Sequence, residues 1–199
     1  MANLKVFLVP VIPLIIFLLV LLFGYLFSDK KKVEALNRLA RVFHGRVNRP
    51  FVPSLSDADY QGLKFSIVLH PRSSNSPEYL KITLFKDTYY KLSVSKESFL
   101  SDICERLGIV NQVRVDDEVF DKEFMLFTDK PQQFGGHFDN EDMKDAIRVV
   151  FGEGFNEILI DGKSVFTKKT GYILGKDLEP QYIRNILRNL NVIARWADA

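Results

Sequence analysis

The stretch from Val6 to Phe27 contains no charged residue and constrains the chain more than any other feature. A run of about 18 or more mostly apolar residues can cross the roughly 30 Å hydrocarbon core of a bilayer as a helix. Pro10 and Pro13 stand in the first turns of this stretch, where the missing N–H groups cost little. We therefore expect residues 1–29 to form one N-terminal transmembrane anchor.

Basic residues are concentrated on one side of this stretch. Only Lys5 precedes it, whereas residues 30–49 hold seven basic residues and one acidic residue, a net charge of +6. The bias of Lys and Arg toward the cytoplasmic side predicts an uncleaved, single-pass signal anchor with the rest of the chain in the cytoplasm. The alternative is a cleaved signal peptide, but its apolar region would be only about 7–15 residues long.

Residues 30–61 are expected to form a basic, amphipathic juxtamembrane helix and a linker. Leu36, Leu39 and Phe43 recur at helical spacing and define an apolar stripe. Two interpretations of the stripe stay open: it lies among lipid headgroups, or it packs on the folded domain. The basic residues predicted to contact an anionic leaflet are Lys30, Lys31, Lys32, Arg38 and Arg41.

Residues 62–199 are expected to form a single soluble α+β domain. Alternating apolar residues predict strands over 63–69, 79–85 and 89–94, arranged as an antiparallel meander. The dipeptide Asp161–Gly162 between two apolar runs predicts a hairpin with a type I′ turn.

Apolar residues at helical spacing predict helices that follow these strands. One stripe comprises Met143, Ala146, Ile147, Val150 and Phe151, and another comprises Ile183, Ile186, Leu187, Leu190, Ile193 and Ala194. A strand–strand–helix order recurs along the chain. The predicted fold class is α+β, with an antiparallel or mixed sheet, helices mainly on one face, and one transmembrane helix before it.

Side chains capable of catalysis or metal binding do not occur at the spacing of a known site. The three histidines stand far apart in sequence, and Cys104 lies on a predicted apolar helix face, as an inert core thiol would. The acidic residues Asp116, Asp117, Glu118 and Asp121 do not match a calcium loop, and we interpret them as a solvated hairpin turn. We predict no catalytic residue, no cofactor and no metal site.

A loop with two glycines is the one candidate for a pocket. His137 and Asp139 follow Gly135–Gly136, a pair that forms either a mobile edge of a pocket or an ordinary turn. Residues 50–199 carry a net charge of −4, whereas a nucleic-acid-binding domain is expected to carry a basic patch. Nucleic acid is therefore not an expected partner.

The segment Phe120–Thr128, with Met143 and the hairpin around Ile158–Lys163, resembles a pattern in uncharacterised bacterial membrane-anchored domains of unknown function. In that pattern an F-[DN]-K-x-F strand, here Phe120–Phe124, precedes a helix and an I-x-[IVF]-x-x-[GN] hairpin. The similarity covers about a third of the chain, and those proteins often have two anchors. It implies a bacterial membrane setting and supplies no catalytic residue.

Together these features predict a membrane-anchored, non-catalytic accessory, assembly or scaffold subunit at the cytoplasmic surface of a bacterial inner membrane. Its expected partners are the anionic leaflet of the bilayer and a membrane protein. One alternative is a membrane-tethered enzyme with a pocket near His137 and Asp139. Another alternative is an extracytoplasmic domain that binds envelope polymers.

Overall fold

The computed structural model describes residues 30–49, 52–74, 76–96, 111–134 and 141–197. Within them nine strands form one antiparallel sheet: β1 Arg46–Asn48, β2 Ser54–Tyr60, β3 Leu63–His70, β4 Tyr79–Phe85, β5 Leu92–Ser95, β6 Asn111–Val113, β7 Met125–Thr128, β8 Glu157–Ile160 and β9 Ser164–Thr170. The helices are α1 (residues 30–43), α2 Glu118–Glu123, α3 Pro131–Phe134, α4 Glu141–Gly152, α5 Leu174–Asp177 and α6 Pro180–Trp196.

The strand order is β1-β2-β3-β4-β9-β8-β5-β7-β6. The predicted meander is right for β3 and β4, which pair directly, but wrong for the next strand, because β9 and β8 lie between β4 and β5. In the second half of the sheet β7 and β8 run parallel to each other with β5 between them, and α4 follows β7 and precedes β8 in the chain. This is a split βαβ arrangement.

One face of the sheet forms the main core. Leu80, Ile82 and Leu84 alternate along β4 and are fully buried, and α1, α4 and α6 place their apolar stripes in the same cluster. Ile147 of α4 and Ile186 of α6 are also fully buried. Burying one Leu or Ile side chain contributes about 1.5–3 kcal/mol, so this shared face accounts for most of the hydrophobic stabilisation.

The other face of the sheet carries a small second cluster. Phe127, Leu159 and Phe166 lie on β7, β8 and β9, with Ser93 of β5 between Phe127 and Leu159, and Met125 packs beside them. The Nζ atom of Lys81 lies 3.9 Å from the centroid of the Phe166 ring. The lysine stem and its charged head therefore shield apolar surface on this face.

Residues 30–60 contribute directly to the folded domain. Leu36 and Leu39 of α1 are fully buried in the main core, so the apolar stripe of this helix packs on the domain. The region that follows, which the sequence assigns to a linker, forms β1 and β2 of the sheet. Lys32 is buried on α1, with its Nζ atom 3.4 Å from Glu78 Oε2.

The predicted fold class is corrected in one respect: the N-terminal transmembrane helix is not part of the fold that the described residues form. Among the described residues no helix is long and apolar enough to cross a membrane. The longest helix that lies wholly within them, α6, has 17 residues and includes Arg184, Arg188 and Arg195, whereas a span needs about 20 mostly apolar residues. The stretch Val6–Phe27 lies outside the described residues.

The turn of the predicted β8–β9 hairpin differs from expectation. β8 and β9 pair as predicted, but only Gly162 has a positive φ, whereas a type I′ turn requires positive φ at both central residues. The side chain of Asp161 accepts hydrogen bonds from the N–H groups of Lys163 and Ser164 instead. The β2–β3 hairpin does have a positive φ at both central residues, +55° at Gln61 and +83° at Gly62, as a type I′ turn requires.

We expect Gly45→Ala to lower the free energy of unfolding by about 1–3 kcal/mol, because a Cβ atom there overpacks the join between α1 and β1. That atom would lie 2.7 Å from Leu55 Cδ1 and 2.9 Å from Ala58 Cβ. Gly152→Ala is the matched control, since a Cβ at this exposed helical position meets nothing within 4 Å. The control should be neutral or more stable by up to about 1 kcal/mol in urea unfolding. Equal stabilities of the two variants would contradict close packing at Gly45.

Candidate anion-binding cleft

A cleft of about 660 Å³ opens between the end of α1, the β2–β3 turn and the first turns of α6. Its volume lies within the range of small-molecule sites, about 300–1,000 Å³. The three elements that line it are far apart in sequence. The packing of α1 and α6 on the sheet therefore forms the cleft.

The side chains that α6 directs into the cleft follow from the helical repeat. Pro180 occupies the first turn of α6, where its fixed φ suits a helix start. Ile183 and Ile186 are buried in the main core on the other side of the helix. Arg184 and Arg188 stand four residues apart, so they share one exposed side of the helix and both line the cleft.

Both arginines keep donor groups available. The Cζ atom of Arg184 lies 5.5 Å from the centroid of the Phe43 ring, and Arg188 donates from Nη2 to Asn185 Oδ1 at 2.7 Å. Within the described ranges neither arginine forms a salt bridge. Because a guanidinium carries five N–H donors, each retains several that contact no carboxylate in this part of the chain.

Among the described residues that line the cleft, the one acidic side chain is that of Asp59, which contacts its own turn. Asp59 accepts a hydrogen bond from the N–H of Gly62 at 3.2 Å, and its Oδ2 lies 3.6 Å from Lys64 Nζ. The cleft lining therefore combines two arginines with one carboxylate that is already paired. The electrostatic potential in the cleft favours an anion.

The α1 side of the cleft is held in place by the core. The rings of Phe43 and Phe65 meet edge to face, with centroids 5.1 Å apart and an interplanar angle of 90°. Phe43 is itself only 4% exposed. It thus offers Arg184 a fixed aromatic surface, which orients the guanidinium toward the cleft.

Tyr182 connects the cleft to a buried ion pair. It lines the cleft, and its hydroxyl accepts a hydrogen bond from Lys169 Nζ at 3.1 Å. Lys169 also donates to Asp177 Oδ1 at 2.8 Å and to the carbonyl of Glu153 at 2.6 Å. The remaining oxygen of Asp177 accepts the N–H of Ile173 at 2.7 Å.

These contacts use all three donors of Lys169 and both oxygens of Asp177. Burial, followed by the nearby charges of Asp177 and Glu153, raises the pKa of Tyr182, so its hydroxyl stays protonated at neutral pH. The network joins β9, α5 and α6. We interpret it as a structural support beneath the cleft.

The predicted membrane-surface residues lie on α1. Lys30, Lys31, Arg38 and Arg41 are exposed, whereas Lys32 is buried and paired with Glu78. The proposed pocket residues His137 and Asp139, and also Cys104, lie outside the described residues.

The predicted acidic hairpin turn is wrong, because Glu118 and Asp121 lie within α2 and the residue before this helix is Asp117. This residue caps α2, which lies between β6 and β7, and its Oδ1 accepts the N–H groups of Val119 and Phe120 at 3.1 and 3.0 Å. Lys144 Nζ lies 3.0 Å from Asp117 Oδ2, which ties α2 to α4. Within the described part of the chain, no group of three or more His, Cys, Asp and Glu residues is placed to hold a metal ion.

The sequence alone does not indicate the cleft, because arginines on the polar side of an amphipathic helix, such as Arg184 and Arg188, are typical of an ordinary solvated face. The available signal was their spacing of four residues next to Tyr182 on a strongly amphipathic helix. Nothing in the sequence places Tyr60 and Gln61 opposite them.

Comparison of the chain with protein-family models, with curated proteins and with solved structures finds no match. The resemblance to bacterial membrane-anchored domains therefore stays a prediction.

We expect Asp177→Ala to lower the free energy of unfolding by about 3–5 kcal/mol, because it leaves the ammonium of Lys169 buried without its carboxylate. The matched control is Glu118→Ala. Glu118 pairs with Lys122 at the same 2.8 Å distance, but their side chains are 84% and 72% exposed, compared with 1% and 11% for Asp177 and Lys169. The control should lose at most about 0.5 kcal/mol in chemical denaturation. Similar losses in both variants would contradict a buried ion pair.

We expect Asp117→Asn to reduce stability at neutral pH and to change the acid limb of the stability profile. The N–H of Phe120, and next the Lys144 side chain, lower the pKa of the Asp117 carboxyl in the folded state. The carboxylate therefore stabilises the fold above its unfolded-state pKa, and this stabilisation is lost as the pH falls through the folded-state pKa. The two proteins should converge in acid.

Urea unfolding across a pH series measures this convergence. Asparagine also caps helices well, so the variant tests the charge more than the cap. Asp116→Asn is the control, because the neighbouring Asp116 side chain is exposed. A stability difference between wild type and Asp117→Asn that is constant with pH would contradict the assignment.

Proposed function

We propose that the chain is a non-catalytic accessory module that is held at an anionic membrane surface, where it supports a partner protein. The observation that carries this proposal is the division of α1 into two sides. Its apolar stripe is buried in the core, and its outer side is basic.

The basic surface of α1 consists of Lys30, Lys31, Arg38 and Arg41, all of which are exposed. Glu34 is the only acidic residue of the helix over residues 30–43. Because Leu36 and Leu39 are already buried against the sheet, α1 would contact a bilayer through charge and not through its apolar stripe. Each basic residue near an anionic leaflet contributes about 1 kcal/mol.

The helical layer as a whole is asymmetric in charge. The exposed residues Arg184, Arg188 and Arg195 of α6 add to the positive side. In contrast, α4 begins with the exposed acidic residues Glu141 and Asp142. An anionic surface would therefore attract the α1 and α6 side and repel the start of α4.

The sequence before α1 supports the same orientation. The uncharged stretch Val6–Phe27 ends three residues before Lys30. Contact of this stretch with a membrane would hold the basic surface of α1 within a Debye length of the leaflet, about 8–10 Å at physiological ionic strength.

The charged groups that the structure buries support a non-catalytic role. Lys169 and Asp177 use their polar atoms in contacts between secondary-structure elements, and Lys144 is paired with Asp117 and Glu141. Their burial is explained by the contacts that they make between helices and strands, and no bound substrate is needed to account for it. A binding role at the exposed basic surface agrees with this division.

Replacing Lys30, Lys31, Arg38 and Arg41 by Gln should reduce the preference of the full-length chain for anionic vesicles over neutral vesicles by about tenfold or more. The Val6–Phe27 stretch is unchanged in the variant, so its contribution cancels from the comparison. Vesicle flotation at low and high salt measures the preference. Salt should weaken the binding of the wild type far more than that of the variant.

The control variant removes four exposed basic residues that lie outside α1 and α6: Lys96, Arg114, Lys122 and Lys163. It should keep the preference for anionic vesicles. If both variants lost it equally, net charge and not the α1 surface would explain binding. Recovery of a stoichiometric partner with the full-length chain in mild detergent tests the accessory role.

A further inference from the structure

We propose that the cleft binds one phosphoryl group carried by a polyol, either a soluble phosphorylated polyol or the glycerophosphate headgroup of a lipid. This site is separate from the basic surface of α1. It goes beyond the proposed function, because a soluble ligand would fill it without any membrane.

The charge of the lining selects an anion. Arg184 and Arg188 face the cleft without a salt bridge in the described part of the chain, and Asp59 is paired with Lys64. An anionic ligand would thus meet two cations and would not need to displace an existing ion pair of either arginine.

The arginine geometry favours a phosphoryl group over a carboxylate. Within the described residues the guanidinium of Arg184 lies over the Phe43 ring and forms no hydrogen bond, and Arg188 donates one hydrogen bond from Nη2 to Asn185. A carboxylate offers two oxygens, which one guanidinium satisfies. The unesterified oxygens of a phosphoryl group, three in a monoester and two in a lipid diester, are arranged tetrahedrally around phosphorus and can accept from both guanidinium groups.

The remaining lining indicates a polyol as the carrier. A cleft of about 660 Å³ holds much more than a single phosphate. Gln61 and Gln181 contribute side-chain amides, each of which both donates and accepts hydrogen bonds, as hydroxyl groups do. Tyr60 and Tyr182 contribute aromatic surface against which the carbon skeleton can pack.

Titration calorimetry of the full-length chain with glycerol 3-phosphate, inorganic phosphate and glycerol tests the site. We expect glycerol 3-phosphate to bind more tightly than inorganic phosphate, and glycerol to show no binding. Replacing Arg184 and Arg188 by Gln should weaken glycerol 3-phosphate binding by about tenfold or more. Arg184→Lys, which keeps the charge but loses the planar donors, should give an intermediate loss.

Arg195→Gln is the matched control. Arg195 is exposed on the same side of α6 about three turns further along and does not line the cleft. This variant should bind glycerol 3-phosphate as the wild type does. No binding of glycerol 3-phosphate to the wild type, or an equal loss in the Arg195 variant, would overturn the proposal.

Vesicles distinguish the two sources of the phosphoryl group. If, at high salt where the general attraction of α6 is screened, the Arg184 and Arg188 double variant loses binding to vesicles of neutral lipid and phosphatidylglycerol that the Arg195 variant keeps, the ligand is a lipid headgroup. If only glycerol 3-phosphate binding is lost, the ligand is soluble. The α1 variant should keep glycerol 3-phosphate binding even if it loses the vesicle preference, so failure of the proposed function would not conceal failure of this site.

Discussion

The structure depends on the burial of one apolar face of the sheet under α1, α4 and α6. Alternate residues of a strand point to opposite faces, so a shift of register by one residue would expose Leu80, Ile82 and Leu84 of β4. The same burial fixes the rotation of each helix, because only one side of each is apolar. Strand register and helix orientation are thus determined by a single requirement.

The side chains that line the cleft are exposed there because of the rotation of α1 and α6 about their axes. With Ile183 and Ile186 buried in the main core, α6 must present Arg184 and Arg188 on its open side. Burial of Phe43 brings the end of α1 beside them, and the tight β2–β3 turn closes the third side. The ion pair of Lys169 with Asp177 joins β9 to α5, and Lys169 also donates a hydrogen bond to Tyr182 in the cleft lining. A fully hydrogen-bonded polar network therefore holds Tyr182 in position.

Periodic segments were the most predictable part of the chain. The helix over Glu141–Gly152 and the pairing of β8 with β9 are confirmed, because amphipathic spacing and a short loop with glycine act over a few residues. The position of β5 was not predictable, since β8 and β9 enter the sheet from almost 70 residues later in the chain. The type of the turn at Gly162 depended on side-chain hydrogen bonds of Asp161, which hydrophobic patterning does not report.

The sequence alone determined which residues become buried on each amphipathic helix, where the basic residues are concentrated, and that 30–49 differs in charge from the rest of the chain. Only the tertiary structure decided that α1 belongs to the core, that Lys32 is paired with Glu78, and that Arg184 meets Phe43. The physical reason is the separation along the chain of the residues that interact. Periodicity and charge are local properties, whereas a cleft formed by residues more than 100 positions apart exists only after the sheet has brought them together.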